Sequence, residues 1–96
     1  MKRKKMHPLV VEAMLETASN MDRFEALPLK LTALRMRADV TLREAAKEIG
    51  FTAAALNSYE NGEKLPSIRF VVKIAEYYEV SLDWLLGATG AKPEGV

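Results

Sequence analysis

Two short helices with clear start and stop signals, joined by a short turn that contains a glycine, occupy the middle of this 96-residue chain. The first begins with the segment TLRE at Thr41–Glu44, a capping box in which the threonine hydroxyl and the glutamate carboxylate each accept a hydrogen bond from a free backbone N–H. Gly50 suits the left-handed conformation that often follows a helix C-terminus. Thr52 can cap the second helix, which is predicted from Ala53 to about Glu60.

Two short helices joined by a turn that contains glycine form the helix-turn-helix arrangement. Ala46 is small at the point where the two helices would cross closely. Apolar residues occur at the offsets that would hold the helices at a steep angle. They are Ala45, Ile49, Phe51, Leu56 and Tyr59. The combination of these residues with both caps predicts a helix-turn-helix unit over residues 42–59.

Helical signals continue on both sides of this unit. Leu31 and Leu34 lie three residues apart on a predicted helix that ends near Ala38. Pro66 and Ser67 announce a helix after the unit. Its predicted inner face consists of Ile68, Val71, Val72, Ala75 and Tyr78. No strand pattern is found, so the predicted fold class is all-α.

A last short helix is predicted between a serine cap at Ser81 and a closing Gly87. It carries Leu82, Trp84, Leu85 and Leu86. We interpret Trp84 and Tyr59 as core residues. The remaining residues, 88–96, contain two glycines and a proline and are expected to be disordered.

Residues 1–28 are interpreted as a basic tail followed by an appended amphipathic helix. Pro8 can open this helix at its first turn, and Pro28 is expected to end it. The predicted apolar stripe consists of Val10, Met14, Thr17, Met21 and Phe24. The stripe can either pack on its own domain or pair with a second copy of the chain.

Residues from about Leu31 to Gly87 resemble the XRE family, the lambda-repressor/Cro type of helix-turn-helix domain. The matching segments are LTALR, TLREAAKEIGFT, SYENGEKLPS and VSLDWLLG. The resemblance implies a compact five-helix bundle, here at 29–87, with the N-terminal helix as an extra element. It also implies a structural pair between Arg35 and Glu60, and a recognition helix at 53–60 that lies in the major groove of DNA.

The resemblance also implies which residues face DNA. The candidates are Arg43, Thr52, Ala53, Ala54, Ala55, Asn57, Ser58 and Lys64. Arg43 and Lys64 are placed near phosphates, whereas Lys47 is interpreted as a solvated residue. The family often has glutamine where this chain has Leu42, and polar side chains where it has three alanines. Alanine offers only a methyl group to a base, so base reading is expected to rely on Asn57 and Ser58.

Composition gives little further support for a function. The chain has 14 Lys/Arg and 13 Asp/Glu, a net charge of +1, so bulk charge does not point to nucleic acid. It has no cysteine, and its one histidine, His7, stands without partners at metal-ligand spacing. No phosphate loop, nucleophile motif or membrane-spanning run occurs. We therefore expect a cytoplasmic protein that is not an enzyme and has no metal, cofactor or membrane partner.

The leading hypothesis is a repressor that binds double-stranded operator DNA as a homodimer, because two-fold dimers bind half-sites about one helical turn apart. The candidate dimer interfaces are the N-terminal helix and the Trp84–Leu86 end. The basic residues Lys2–Lys5 are a candidate DNA-binding arm. Two alternatives remain: the antitoxin of a toxin–antitoxin pair, and a module that binds a protein through the helix-turn-helix surface.

Overall fold

The computed structural model describes residues 8–21 and 23–87, and this part of the chain folds entirely into helices and their connections. The elements are α1 (Pro8–Ser19), α2 (Arg23–Ala38), α3 (Leu42–Ile49), α4 (Ala53–Glu60), α5 (Ile68–Tyr78) and α6 (Leu82–Leu86). The predicted all-α bundle with one extra N-terminal helix is confirmed. The Lys2–Lys5 run, His7 and residues 88–96 lie outside the described residues.

A single apolar core joins all six of these helices. Helix α2 lies at its centre, with Leu31 and Leu34 each 1% exposed, and it contacts α1, α4, α5 and α6. Phe70 of α5 is fully buried between Phe51 and Tyr59, whose ring centroids lie 4.6 and 4.4 Å from its own. This aromatic cluster fixes α5 against the turn and the helix that follow α3.

Helix α1 begins at Pro8 as predicted, but its buried stripe is not the predicted one. Val11, Leu15 and Ala18 are buried, whereas Val10, Thr17 and Met21 are exposed and Met14 is half-buried. The helix ends at Ser19, so Met21 and Phe24 do not lie on it; the Phe24 side chain is outside the described part of the structure. Helix α1 packs on α2 of its own chain through Val11, Leu15 and Ala18, and most of the predicted stripe stays exposed.

The prediction that Pro28 ends a helix was wrong, because Pro28 lies inside α2. Proline in a helix interior removes one backbone hydrogen bond and costs about 3 kcal/mol. The helix continues because residues on both sides of the proline are buried, Ala26 and Leu27 before it and Leu31 after it. Helix α2 therefore runs across residue 28, where the sequence suggested a boundary.

The predicted inner face of α5 was correct in part. Val71 and Ala75 are buried and Tyr78 is half-buried, but Ile68 and Val72 are 67% and 37% exposed. Phe70 and Ile74, which were not predicted, are fully buried instead. The buried side of α5 is therefore centred nearer to Phe70 and Ile74 than to Ile68 and Val72.

Helix α6 is fixed to the rest of the bundle by a buried lysine. The Lys30 ammonium donates a hydrogen bond of 2.6 Å to the Trp84 carbonyl and lies 4.7 Å from the centroid of the Trp84 ring. The indole N–H of Trp84 donates to the Ser19 hydroxyl at 3.2 Å. Burial lowers the pKa of Lys30. These contacts join α1, α2 and α6, and Trp84 is a core residue as predicted.

Candidate nucleic-acid interface

The turn between α3 and α4 has the geometry that its residues predict. The Thr41 hydroxyl accepts from the Glu44 N–H at 3.1 Å, and the Glu44 carboxylate accepts from the Thr41 N–H at 2.8 Å. Gly50 adopts a φ of 93°. The N–H groups of Gly50 and Phe51 both donate to the Ala46 carbonyl at 2.9 Å. The capping box and the left-handed glycine are thus confirmed, and together they fix the direction in which α4 leaves the turn.

The start of α4 is fixed by Thr52. Its hydroxyl oxygen accepts from the Ala55 N–H at 3.0 Å, and the Thr52 side chain is exposed. The N–H groups of the first residues of a helix have no partner within the helix, and here they follow one another along a run of alanines. The Ala55 N–H is bound by Thr52, which leaves the N–H groups of Ala53 and Ala54 as the donors that could bind a phosphate oxygen. The alanines, which offer no side-chain readout, therefore permit close approach of the backbone.

The exposed face of α4 contains fewer residues than the set that was predicted to face DNA. Ala54 and Asn57 are exposed, whereas Ala53, Ala55 and Ser58 are half-buried. Leu56 is 1% exposed and fixes the opposite face in the core. The face that can reach a groove is therefore centred on Ala54 and Asn57, with Ser58 at its side.

The sequence interpretation did not include Asn61 in this face. Asn61 follows the last residue of α4, is exposed, and stands four residues after Asn57. Residues four apart lie on the same side of a helix, so the Asn57–Asn61 spacing was the signal that could have identified it. Asn61 extends the polar part of the face toward the C-terminal end of α4.

The charges on α3 are separated into two stripes. Arg43 and Lys47 are exposed one turn apart, and so are Glu44 and Glu48. Burial, and then the carboxylates of Glu48 and Glu44, raise the pKa of the Tyr77 hydroxyl on α5. The acidic stripe therefore lies on the α5 side of α3.

The basic stripe of α3 lies about 100° around the helix from the acidic stripe, on the side nearer Ala46. This follows from helix periodicity, because Arg43 and Lys47 each precede a residue of the acidic stripe by one position. Lys47, interpreted from the sequence as a solvated residue, is exposed and stands one turn from Arg43 on the same side of α3. Lys64 is exposed in the loop after α4, near the exposed Glu63.

The C-terminal end of α4 is held by the pair that the family resemblance implied. The Arg35 Nε donates to the two Glu60 carboxylate oxygens at 2.9 and 3.1 Å, and the Thr32 hydroxyl donates to the same carboxylate at 3.3 Å. Arg35 Nη1 also donates to the Val40 carbonyl at 3.1 Å. The Glu60 side chain is 5% exposed and that of Arg35 is 19% exposed. Both side chains are occupied within the fold, so their role here is structural.

Within 8–21 and 23–87, no group of three or more histidine or acidic side chains is arranged to hold a metal ion. No helix in the same residues is long and apolar enough to cross a membrane.

Comparison with known proteins identifies the family. The helix-turn-helix family HTH_3 matches residues 31–85, more than half of the chain. The chain therefore belongs to this family, the XRE type of helix-turn-helix domain. The match covers α3 and α4 and most of the bundle around them.

Two curated proteins are similar to this chain. It is 38% identical over 58 residues to the cryptic phage CTXphi transcriptional repressor RstR of Vibrio cholerae, covering 60% of this chain and 52% of that protein. It is 33% identical over 60 residues to the uncharacterized HTH-type transcriptional regulator YobD of Bacillus subtilis, covering 62% and 54%. The chain thus spans about half the length of these relatives. No solved structure matches the chain significantly.

Proposed function

We propose that this protein is a DNA-binding transcriptional regulator, and specifically a repressor that binds operator DNA as a homodimer. The observation that carries the proposal is the capped α3–α4 unit, whose exposed face has an asparagine, small side chains and open backbone donors on α4 and a basic stripe on α3. Membership of the helix-turn-helix family and similarity to a phage repressor and an HTH-type regulator support it. This role would place the protein in the cytoplasm, with the DNA.

In the proposed complex, α4 lies in the major groove and phosphates are bound on both sides of it. Arg43 and Lys47 bind one strand from α3, while Lys64 binds from the loop after α4. The N-terminal N–H groups of α4 and the Thr52 hydroxyl add contacts to the backbone. These contacts orient the domain on the duplex but do not distinguish one sequence from another.

Base recognition in this proposal depends on few side chains. The Asn57 amide can donate to and accept from an adenine edge, a pairing that contributes about 1–3 kcal/mol of discrimination. Asn61 can add a second contact of the same kind, and Ser58 can donate or accept at the side of the face. Ala54 can touch a thymine methyl group. We therefore expect modest direct readout, concentrated on one or two A·T pairs in each half-site.

The experiment that tests the phosphate contacts is a salt titration of binding to a mixed-sequence duplex, followed by fluorescence anisotropy. Binding through about six phosphates loses roughly a thousandfold in affinity between about 50 and 200 mM salt. The double variant Arg43→Ala, Lys47→Ala should reduce the salt slope by about two contacts. Arg37→Ala is the matched control, since Arg37 is exposed but lines a cleft with Tyr77, Tyr78 and Glu79 on the α5 side.

If the salt dependence of the double variant equals that of the wild type, Arg43 and Lys47 do not contact phosphates. The DNA would then bind elsewhere on the surface. The absence of DNA binding by the wild-type chain would contradict the proposal and favour the protein-interaction module considered above. In that case the exposed face centred on Ala54 and Asn57 would be the surface to test for a protein partner.

A further inference from the structure

An exposed apolar patch lies directly after the recognition helix. Leu65 is 71% exposed, Ile68 67% and Val72 37%. Ile68 and Val72 stand four residues apart on α5, so their side chains lie on the same side of the helix. Leu65 precedes them in the loop. Three neighbouring apolar side chains at this exposure are a feature of interaction surfaces rather than of scattered surface residues.

Charged side chains on the same side of α5 are arranged by sign. Arg69 and Lys73 stand in its first two turns, and Glu76 stands in the last. All three are exposed, and none of them forms an ion pair with another described residue. We call the surface made by Leu65, Ile68, Arg69, Val72, Lys73 and Glu76 the α5 outer face. It is apolar and basic toward its N-terminal end and acidic toward its C-terminal end.

We propose that the α5 outer face binds the same face of a second copy of this chain, with the two α5 helices antiparallel about a two-fold axis. In a two-fold interface every contact occurs twice: when one residue of the first copy contacts a second residue of the other copy, the reciprocal contact also forms. The surface must therefore be complementary to itself. An antiparallel arrangement with its axis near Val72 places Arg69 of one copy beside Glu76 of the other. The same pairing forms again on the other side of the axis. Val72 of both copies then lies at the centre of the contact, and Ile68 of each copy lies toward its end.

Other occupants fit this face less well. A DNA backbone gains nothing from Leu65 and Ile68, and it is repelled by the Glu76 carboxylate. The interfaces suggested by the sequence are also less suitable. Val11 and Leu15 of α1 are already buried in the core. In the second candidate interface, the Trp84–Leu86 end, Trp84 and Leu85 are also buried. Among these three residues, Leu86 is the exposed one.

The location of the face suits the proposed function, on which this inference rests. Helix α5 begins after a short loop that follows α4, and Phe70 of α5 contacts Tyr59 of α4 with ring centroids 4.4 Å apart. Phe70 lies on the buried side of α5, so in a dimer through the α5 outer face each recognition helix lies behind the α5 helix of its own copy, away from the two-fold axis. Two helices related in this way can enter successive turns of one groove, about 34–36 Å apart.

The first test is sedimentation equilibrium of the full chain without DNA. We expect the wild type to self-associate and Ile68→Asp to weaken the dimer at least about tenfold, since a charge would replace an apolar side chain that the contact covers. Ile68 is the first residue of α5, where an acidic side chain is favourable for the helix, so the variant should stay folded. Leu9→Asp is the matched control, because Leu9 is 73% exposed on α1.

The second test is a charge exchange that only a self-complementary face can satisfy. Arg69→Glu and Glu76→Arg should each weaken the dimer, because each places like charges opposite one another. The double variant Arg69→Glu, Glu76→Arg restores opposite charges across the axis and should recover an affinity within about threefold of the wild type. Glu12→Arg on the exposed side of α1 makes a charge change of the same size away from the face and should have no effect.

A monomeric wild type, a dimer insensitive to Ile68→Asp, or one equally weakened by Leu9→Asp would overturn this inference. If the double charge variant loses as much dimer affinity as the two single variants together, the antiparallel pairing is overturned. DNA binding by the same variants, measured at a concentration above the dimer dissociation constant, separates the two proposals. A chain that binds DNA but does not use this face to associate leaves the proposed function standing.

Discussion

At the scale of single residues, Tyr78 has a hydroxyl group whose hydrogen-bonding capacity is not satisfied by the fold. Its hydroxyl is buried and, among the described residues, is the one buried side-chain polar atom without a hydrogen-bond partner. Burial, and then the Glu60 carboxylate, raise the pKa of this hydroxyl well above its ordinary value. A buried hydroxyl without a partner costs about 1–3 kcal/mol.

We therefore expect Tyr78→Phe to raise the free energy of unfolding by about 1 kcal/mol at neutral pH, measured by urea denaturation. The folded wild type also holds the Tyr78 proton at pH values where the unfolded chain loses it. Its stability should fall as the pH rises above about 10, and Tyr78→Phe should reduce that fall. At neutral pH, Tyr77→Phe is the control for a tyrosine whose hydroxyl is not a buried atom without a partner. A loss of stability at neutral pH in Tyr78→Phe would show that the hydroxyl has a partner.

The residues of the candidate site could be predicted only in part. The run Ala53–Ala55 was read as three equivalent positions, but burial distinguishes them: Ala54 is exposed and its two neighbours are half-buried. Periodicity within α4 alone does not reveal this, because alanine is compatible with either side of a helix. The direction of α4 depends on Leu56 and on contacts made with other helices.

At the scale of secondary-structure elements, the Arg35–Glu60 pair fixes α4 to α2. Arg35→Ala would leave the Glu60 carboxylate buried without its charged partner. We expect a loss of about 3 kcal/mol in the free energy of unfolding, at the lower end of values for buried pairs because Arg35 is partly exposed. Arg37→Ala, two residues away and exposed, should change stability by less than about 0.5 kcal/mol. Equal effects of the two substitutions would contradict the role given to the pair.

The docking of α1 on α2 gives a second prediction at this scale. Leu15 is 5% exposed, whereas Val10 is 44% exposed although it belongs to the stripe predicted from the sequence. Leu15→Ala should cost about 2–4 kcal/mol by leaving a cavity, and Val10→Ala should cost little. Thermal unfolding of both variants is the measurement. The reverse order of the two effects would favour the stripe predicted from the sequence over the one observed.

These elements show what local signals can and cannot predict. The caps at Thr41, Thr52 and Ser67 and the glycine at position 50 act through neighbouring backbone groups, so the sequence alone was sufficient to place α3, α4 and α5. The side of a helix that is buried depends on other parts of the chain. In α1, adjacent apolar pairs made two stripes equally plausible. In α2, burial on both sides of Pro28 outweighed a local signal for termination.

At the scale of the whole molecule, the affinity and specificity of the proposed regulator for DNA depend on several contributions that are each weak. The net charge of +1 supplies little general attraction to DNA, so placement of the basic stripe on α3 matters more than its size. One domain with an alanine-rich recognition helix is expected to read few bases. A dimer through the α5 outer face doubles the number of base and phosphate contacts, and fixed half-site spacing then adds to specificity.

The most direct measurement is selection of bound fragments from a random duplex DNA pool at physiological salt, followed by sequencing. The account predicts an inverted repeat, with half-sites centred about 10 base pairs apart and A·T pairs at the most constrained positions. Selection with Asn57→Ala should relax those positions while the spacing persists. Recovery of no enriched sequence, or no recovery of DNA at all, would contradict the claim that α4 reads an operator.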